Sequence, residues 1–225
     1  MLRKMKSRAK LLLSIFQLKA TRGSLEGYLD LILGAAGGLY KPLQIRSEIL
    51  GMLDVVSKNP PHRVMEIGTA NGGTLFLLAR AAADDAQLIS LDLPYGEFGG
   101  GYSPIRIPLY RQFARGRQRV DLVRGDSHRQ ENRDRVERLL GGAKLDFLFI
   151  DGDHTYEGVK RDFELYSPMV RSGGLIGMHD IATHPASHNC HVDLFWNELK
   201  QKYRTTEIIE NAAQGWAGIG LVHMP

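Results

Sequence analysis

With 225 residues, the chain is sized for one α/β domain with added elements, since ~150 residues per domain is only a soft guide. Its formal charge of +4 is uneven: Arg3, Lys4, Lys6, Arg8, Lys10, Lys19 and Arg22 leave 22 bases against 25 acids elsewhere, a net of −3. That balance excludes a basic nucleic-acid-binding body, and a single cysteine, Cys190, excludes an internal disulfide and favours a reducing, cytoplasmic setting.

In chain order, Leu11-Leu12-Leu13-Ser14-Ile15-Phe16 imitates a secretion signal, but Gln17, Lys19, Thr21 and Arg22 cut it short. No stretch nears the ~20 apolar residues of a membrane span. Leu12, Ile15 and Phe16 stand at helical spacing instead. The arm reads as a helix packed on the domain or on a second copy in a homo-oligomer. Its other reading is contact of residues 1–22 with an anionic membrane surface, which would make the protein peripheral to the membrane. A helix over Leu25–Leu33 completes an N-terminal basic and helical extension, residues 1–43, ahead of a domain spanning 44–225.

A helix near Gln44–Ser57 puts Ile45, Ile49, Leu50, Leu53 and Val56 on one face and stops before Pro60-Pro61. Strands and helices then alternate. Strands are expected at Arg63–Ile67, Gln87–Leu91, Val120–Val123, Leu145–Ile150, Gly174–Met178, Thr205–Ile209 and Trp216–Val222. Helices are expected at Thr74–Ala83, Gln130–Leu140, Tyr156–Val170 and Val192–Tyr203. After Asp146 the fourth strand has no polar alternation, as when both sheet faces are covered. The pattern predicts an α/β fold: a Rossmann-like, doubly wound, seven-stranded and mostly parallel sheet with helices on both faces. Residues 94–118 are long for a connection. They set Gly96, Gly99, Gly100 and Gly101 beside Tyr95, Phe98, Tyr102 and Tyr110, and read as a lid-like insertion or an ordered surface excursion.

Ligands of open α/β sheets bind at the carboxyl ends of the strands. There the chain places Glu66 and Gly68, Asp92, Asp126, Asp151 with Asp153 and His154, and His179 with Asp180. Any one of these suits a turn or helix cap. Acid or imidazole at five consecutive strand ends points to one shared ligand site. The first turn, Glu66-Ile67-Gly68-Thr69-Ala70-Asn71-Gly72, is spaced Glu-x-Gly-x-x-x-Gly, where the dinucleotide fingerprint is Gly-x-Gly-x-x-Gly. That spacing favours S-adenosylmethionine (SAM) over NAD, hence methyl transfer, with Glu66, Gly68, Thr69, Ala70 and Gly72 at the cofactor. Asp92, 24 residues after Gly68, can accept hydrogen bonds from ribose hydroxyls. Asp126-Ser127 either reaches the adenine edge or is a plain turn.

Together with Asp92, the runs Glu66–Gly72, Asp151-Gly152-Asp153-His154-Thr155-Tyr156-Glu157-Gly158-Val159 and Gly173-Gly174-Leu175-Ile176-Gly177-Met178-His179-Asp180 resemble class I SAM-dependent methyltransferases. The nearest resemblance is to the group of cephalosporin-hydroxylase-type and sugar or macrolide O-methyltransferases, over roughly Gln44 to Val222. The resemblance implies cofactor binding by the first motif and Asp92. It also implies a divalent cation, Mg²⁺ or Mn²⁺, on Asp151, His179 and Asp180, holding the hydroxyl of a small-molecule acceptor such as a sugar or glycolipid precursor. The chain departs from the group's Asp-Asp or Asp-Asn pair by having His179-Asp180. Mg²⁺ prefers oxygen ligands and imidazole suits Mn²⁺, Fe²⁺ or Zn²⁺. Either the metal differs or His179 is a base or acceptor contact with no metal.

His154, three residues beyond Asp151, has an ordinary pKa near ~6.5 suited to general-base work; its alternative is to cap the helix after it together with Asp153. Asp151 and His154 are therefore the catalytic candidates. His184, His188, Cys190 and His191 lie close together, but at no standard zinc spacing, and read as a loop near the acceptor. Lys41 and Gln44 are placed to reach the cofactor's carboxylate, or simply to start a helix. The leading expectation is a metal-assisted O-methyltransferase. The alternatives are a metal-independent methyltransferase with a His base, a membrane-associated binding module with a vestigial cofactor site, and, most distant, an NAD enzyme.

Overall fold

The computed structural model describes residues 23–34 and 37–225, so the basic arm and the helix expected within it lie outside the described residues. Helices α1 (Leu25–Gly34) and α2 (Arg46–Ser57) precede strand β1 (Arg63–Ile67) and helix α3 (Gly73–Ala81). There follow β2 (Gln87–Asp92), the short α4 (Ile107–Tyr110), β3 (Arg119–Arg124), α5 (Gln130–Leu140) and β4 (Leu145–Ile150). The chain closes with α6 (Tyr156–Tyr166), β5 (Val170–His179), α7 (Val192–Lys202), β6 (Arg204–Ile208) and β7 (Ile219–His223).

The seven strands form one sheet in the order β3-β2-β1-β4-β5-β7-β6. Six run in one direction, and β7 inserts antiparallel between β5 and β6. Successive side chains of a strand point to opposite faces, and here both faces are dry. Val64, Leu88, Phe147 and Phe149 join α1, α2 and α3 in one core, while Met65, Ile89, Leu148 and Ile150 join α5, α6 and α7 in the other. This double burial is why β4 reads as an almost unbroken apolar run.

Three departures from the expected elements have local causes. The sixth helix ends at Tyr166 and passes into a 3₁₀ turn over Ser167–Met169, because Pro168 has no N–H to continue the ladder. The last strand starts at Ile219 rather than Trp216, since Ala217 and Gly218 take positive φ. The 94–118 insertion divides in two. Tyr102, Leu109, Tyr110 and Phe113 are core residues packed beside Tyr40 and Phe76, whereas Tyr95 is exposed and Gly99, Gly100 and Gly101 carry the chain round at positive φ.

Candidate active site

The turn after β1 is held tightly from behind. Gly68 sits at φ +90°, and a Cβ there would meet the Asp151 carbonyl oxygen at 1.8 Å, so only glycine lets the ends of β1 and β4 meet. Gly68 N–H donates to Leu91 O and Asp151 N–H to Ile67 O, each at 2.9 Å, which ties three strand ends together. At Gly72 a Cβ would strike the Tyr110 ring at 2.7 Å, and the Tyr110 hydroxyl donates to Ala70 O at 2.9 Å. Glu66 lies fully buried beneath the turn. Thr69 Oγ1 donates to its Oε2 at 2.6 Å and its Oε1 has no partner among the described residues. Burial pushes its pKa well up against the Thr69 bond, with the charges of Asp151 and Asp92 adding to the rise.

Asp92 ends β2 and is nearly buried. Its Oδ1 accepts from Ala70 N–H at 3.0 Å and its Oδ2 from Tyr102 N–H at 2.7 Å, so it clips the insertion to the glycine turn. Burial raises its pKa, and these backbone donors and Arg124 oppose the rise. Each oxygen keeps a second lone pair. In front of Asp92 lies a cavity of about 310 Å³ at the carboxyl edge of the sheet. Gly68, Ala70, Ser127, Asp153 and His154 line it, with Phe98 of the insertion on the outer side. Asp126 also reaches it, but its Oδ1 accepts from His128 N–H at 2.8 Å, as a turn residue does. Thr69 and Gly72 lie behind the wall, against the Lys41–Gln44 segment.

At the far side of this cavity the ends of β4 and β5 bring Asp151, His179 and Asp180 together, with ligand atoms all within 4.8 Å of one another. His179 Nδ1 lies 3.1 Å from Asp151 Oδ1 and 3.3 Å from Asp180 Oδ2. Asp180 takes φ +62°, a left-handed conformation that aspartate tolerates better than most residues. Its carboxylate faces a second imidazole at His154 Nδ1 (3.0 Å) and a third at His184 Nε2 (3.2 Å). Burial opposes charge here, but hydrogen bonds from His154, His179 and His184 hold Asp180 far below the usual carboxylate range. Burial likewise opposes protonation of His154, yet Asp180, Cys190 and Asp151 push its pKa up to about 10. His179 is raised well above its ordinary value against burial, by Asp151 and Asp180.

A buried and a half-buried carboxylate converging on imidazoles attract either protons or a cation to the same lone pairs. One imidazole and two carboxylates fit a divalent ion, and Mn²⁺, Fe²⁺ or Zn²⁺ better than Mg²⁺.

Several partners escaped the sequence. Gln44 donates from Nε2 to Asp151 Oδ2 at 2.6 Å and accepts from Thr74, so it orients the carboxylate of β4 rather than facing open cavity. Phe98 stacks on the His154 ring, centroids 4.8 Å apart and planes 8° apart. Behind that pair opens a second cavity of about 500 Å³ lined by His184, His188, Cys190, Gln214 and Trp216. The histidine-rich loop is thus beside the site. His191 starts α7 and donates its backbone N–H to His154 O. Helix α6 is capped by Thr155, whose side chain accepts from Gly158 N–H, while Asp153 Oδ1 accepts from Thr155. His154 is left to face the cavities. Buried Asp162, 3.3 Å from His128 Nε2, carried no sequence signal because the pair spans two elements.

The strand order, the glycine turn, the acid after β2 and a cavity over the carboxyl edge define a Rossmann-like class I methyltransferase fold. Residues 65–181 match the family described as a methyltransferase domain, and the chain belongs to that family. It is 30% identical over 144 residues to an uncharacterised protein of Sinorhizobium fredii, a match covering 62% of this chain and 15% of that protein. The chain therefore spans under a sixth of that relative's length.

Its fold is shared with an O-methyltransferase of Bacillus cereus in complex with SAH (TM-score 0.62, 18% identity, 92% of this chain and 93% of that one). It is also shared with the O-methyltransferase TomG of Streptomyces achromogenes, involved in tomaymycin synthesis and in complex with SAM (0.62, 16%, 91% and 92%). A third likeness is to a putative O-methyltransferase of Klebsiella pneumoniae (0.60, 20%, 91% and 92%).

Proposed function

We propose that the chain transfers the methyl group of SAM to a hydroxyl oxygen of a small-molecule acceptor, a sugar or glycolipid precursor among the candidates, with a divalent cation assisting. The observation that carries this reading is the pair of adjoining cavities, one against the glycine turn and one against the histidine-rich loop, with His154 in the wall between them. The O-methyltransferases of like fold, two with SAH or SAM bound, support it.

In this reading Gly68, Thr69, Ala70 and Gly72 shape the turn on which the cofactor lies. Asp92 offers its outward lone pairs to ribose hydroxyls, and Asp126 and Ser127 lie at the adenine end. SAM supplies a methyl group already activated by its sulfonium. Asp151, His179 and Asp180 would hold the cation, which supplies positive charge that lowers the acceptor hydroxyl's pKa. Phe98 covers the reacting region and keeps water from it. His154 faces both cavities, is oriented by Asp180 at 3.0 Å, and, with its pKa pushed up to about 10, receives the hydroxyl proton only in the neutral form it takes in alkaline solution. Alignment of hydroxyl and methyl contributes several kcal/mol of barrier lowering.

Calorimetric titration with SAM and with NAD tests the cofactor: binding of NAD but not SAM overturns the reading. Labelled-methyl transfer to a panel of hydroxylated and aminated small molecules tests the acceptor atom. Full turnover after exhaustive chelation removes the cation and leaves the metal-independent route, which the His154–Asp180 pair favours. Among the described residues no helix is long and apolar enough to cross a membrane.

A further inference from the structure

Cys190, the chain's single cysteine, is buried against the second cavity beside His154. Its Sγ, an imidazole nitrogen of His154 and a carboxylate oxygen of Asp180 lie within 4.8 Å of one another. His184 borders them without joining them: its Nε2, 3.2 Å from Asp180 Oδ1, accepts from Ala217 N–H at 3.3 Å, and its Nδ1 is 2.8 Å from the Ala182 carbonyl, so both ring nitrogens have backbone partners. The His191 N–H, donated to His154 O at 2.8 Å, ties the loop carrying Cys190 to the His154 backbone.

This donor set differs in kind from Asp151, His179 and Asp180. It contains sulfur, it faces the second cavity, and it shares only Asp180 with the other. A thiolate, an imidazole and a carboxylate, with water in the fourth position, suit four-coordinate zinc-class ions, whereas Mg²⁺ takes oxygen ligands and keeps its waters. We propose that His154, Asp180 and Cys190 form a second cation site, selective for a thiophilic divalent ion of the zinc class. Binding displaces the thiol proton of Cys190 and any proton on the ligating imidazole nitrogen of His154, and releases them to solvent. Nothing is oxidised or reduced. An ion held here occupies a His154 nitrogen, so it withdraws that residue from proton transfer. This consequence rests on the proposed methyl-transfer reading; the binding itself does not.

The test uses Co²⁺ as a spectroscopic stand-in, titrated alone into full-length protein stripped with a chelator. The expected result is a near-ultraviolet sulfur-to-cobalt charge-transfer band with tetrahedral visible bands, reversed by Zn²⁺ and not by excess Mg²⁺. Cys190→Ser loses the near-ultraviolet band, and Asp151→Asn keeps it. No such band in the native protein, a band that survives Cys190→Ser, or equal competition by Mg²⁺ overturns the site. If Cys190→Ser does not fold, His154→Gln decides: Co²⁺ affinity falls tenfold or more if His154 is a ligand, and unchanged affinity overturns the site. None of these outcomes depends on SAM, so failure here is distinguishable from failure of the methyl-transfer reading.

Discussion

The Phe98 ring lies flat on the His154 imidazole, 4.8 Å between centroids, and the pair is the shared wall of the two cavities. Phe98 comes from the glycine-rich half of the insertion, so the contact joins a loop to the end of β4. Stacked ring pairs are worth roughly 0.5–1.5 kcal/mol beyond their buried area. Phe98→Ala should open one cavity to the other and leave the fold intact. Affinity for SAM should fall about 2- to 10-fold by calorimetry, while the melting temperature falls by only a few degrees. An unchanged affinity would show that Phe98 only covers the surface.

Gly68→Ala is expected to fail for a different reason. The added methyl group overlaps the Asp151 carbonyl at 1.8 Å, and the residue would also be held at φ +90°. Backbone must move to relieve this, and both β1 and β4 end there. A loss of roughly 3 kcal/mol or more in denaturant-induced unfolding is the expected size for a backbone clash of this kind. Native-like stability with normal SAM binding would refute the close approach of the two strands.

The glycine turn and the strand-end acids were legible because each is local: a strand, a glycine and an acid read within a few positions. What they touch was not. Asp92 meets Tyr102, and Gln44 meets Asp151 across 107 positions, so no spacing rule links them. The insertion illustrates the same limit. Its aromatic residues left a lid and a surface excursion both open, and Tyr102, Tyr110 and Phe113 are core, because an aromatic residue reads alike whether it covers a ligand or packs under a turn. The histidine loop was visible as a cluster. Only the sheet, by delivering Asp180 and His154 to Cys190 and His184, shows what it surrounds.

Stability should fall as pH rises through neutrality, with His128 one contributor beside His154, His179 and His184. Asp162, 3.3 Å from Nε2, raises the His128 pKa against partial burial, and the charges of Asp126 and Asp153 add to the rise. The folded value therefore lies above the unfolded value of ~6.5. Stabilisation from this group is complete below that unfolded value and is lost as pH climbs through the folded one. A thermal unfolding series from mildly acidic to mildly alkaline buffer should show the melting temperature dropping, and His128→Gln should flatten the drop. A slope identical in native and variant protein would place the titration elsewhere.

Glu48 organises the rim of the second cavity from a distance. Fully buried on α2, it accepts from Glu210 N–H at 3.1 Å, Gln214 Nε2 at 2.7 Å and Gly218 N–H at 2.9 Å. Gln214 and Trp216, carried on that loop, line the cavity. Removing the acceptor strands the buried Gly218 N–H, at roughly 1–3 kcal/mol for a buried group left unpaired, while the exposed Glu210 N–H can turn to water and Gln214 keeps Trp216 O. Glu48→Ala should therefore destabilise the protein by about 1–3 kcal/mol and loosen residues 210–218 in hydrogen exchange. Glu48→Gln keeps one carbonyl acceptor and should lose about half as much, with SAM affinity unchanged because no 210–218 residue lines the first cavity. If both variants match the native protein in exchange at 210–218, the loop is held by its own turn and not by Glu48.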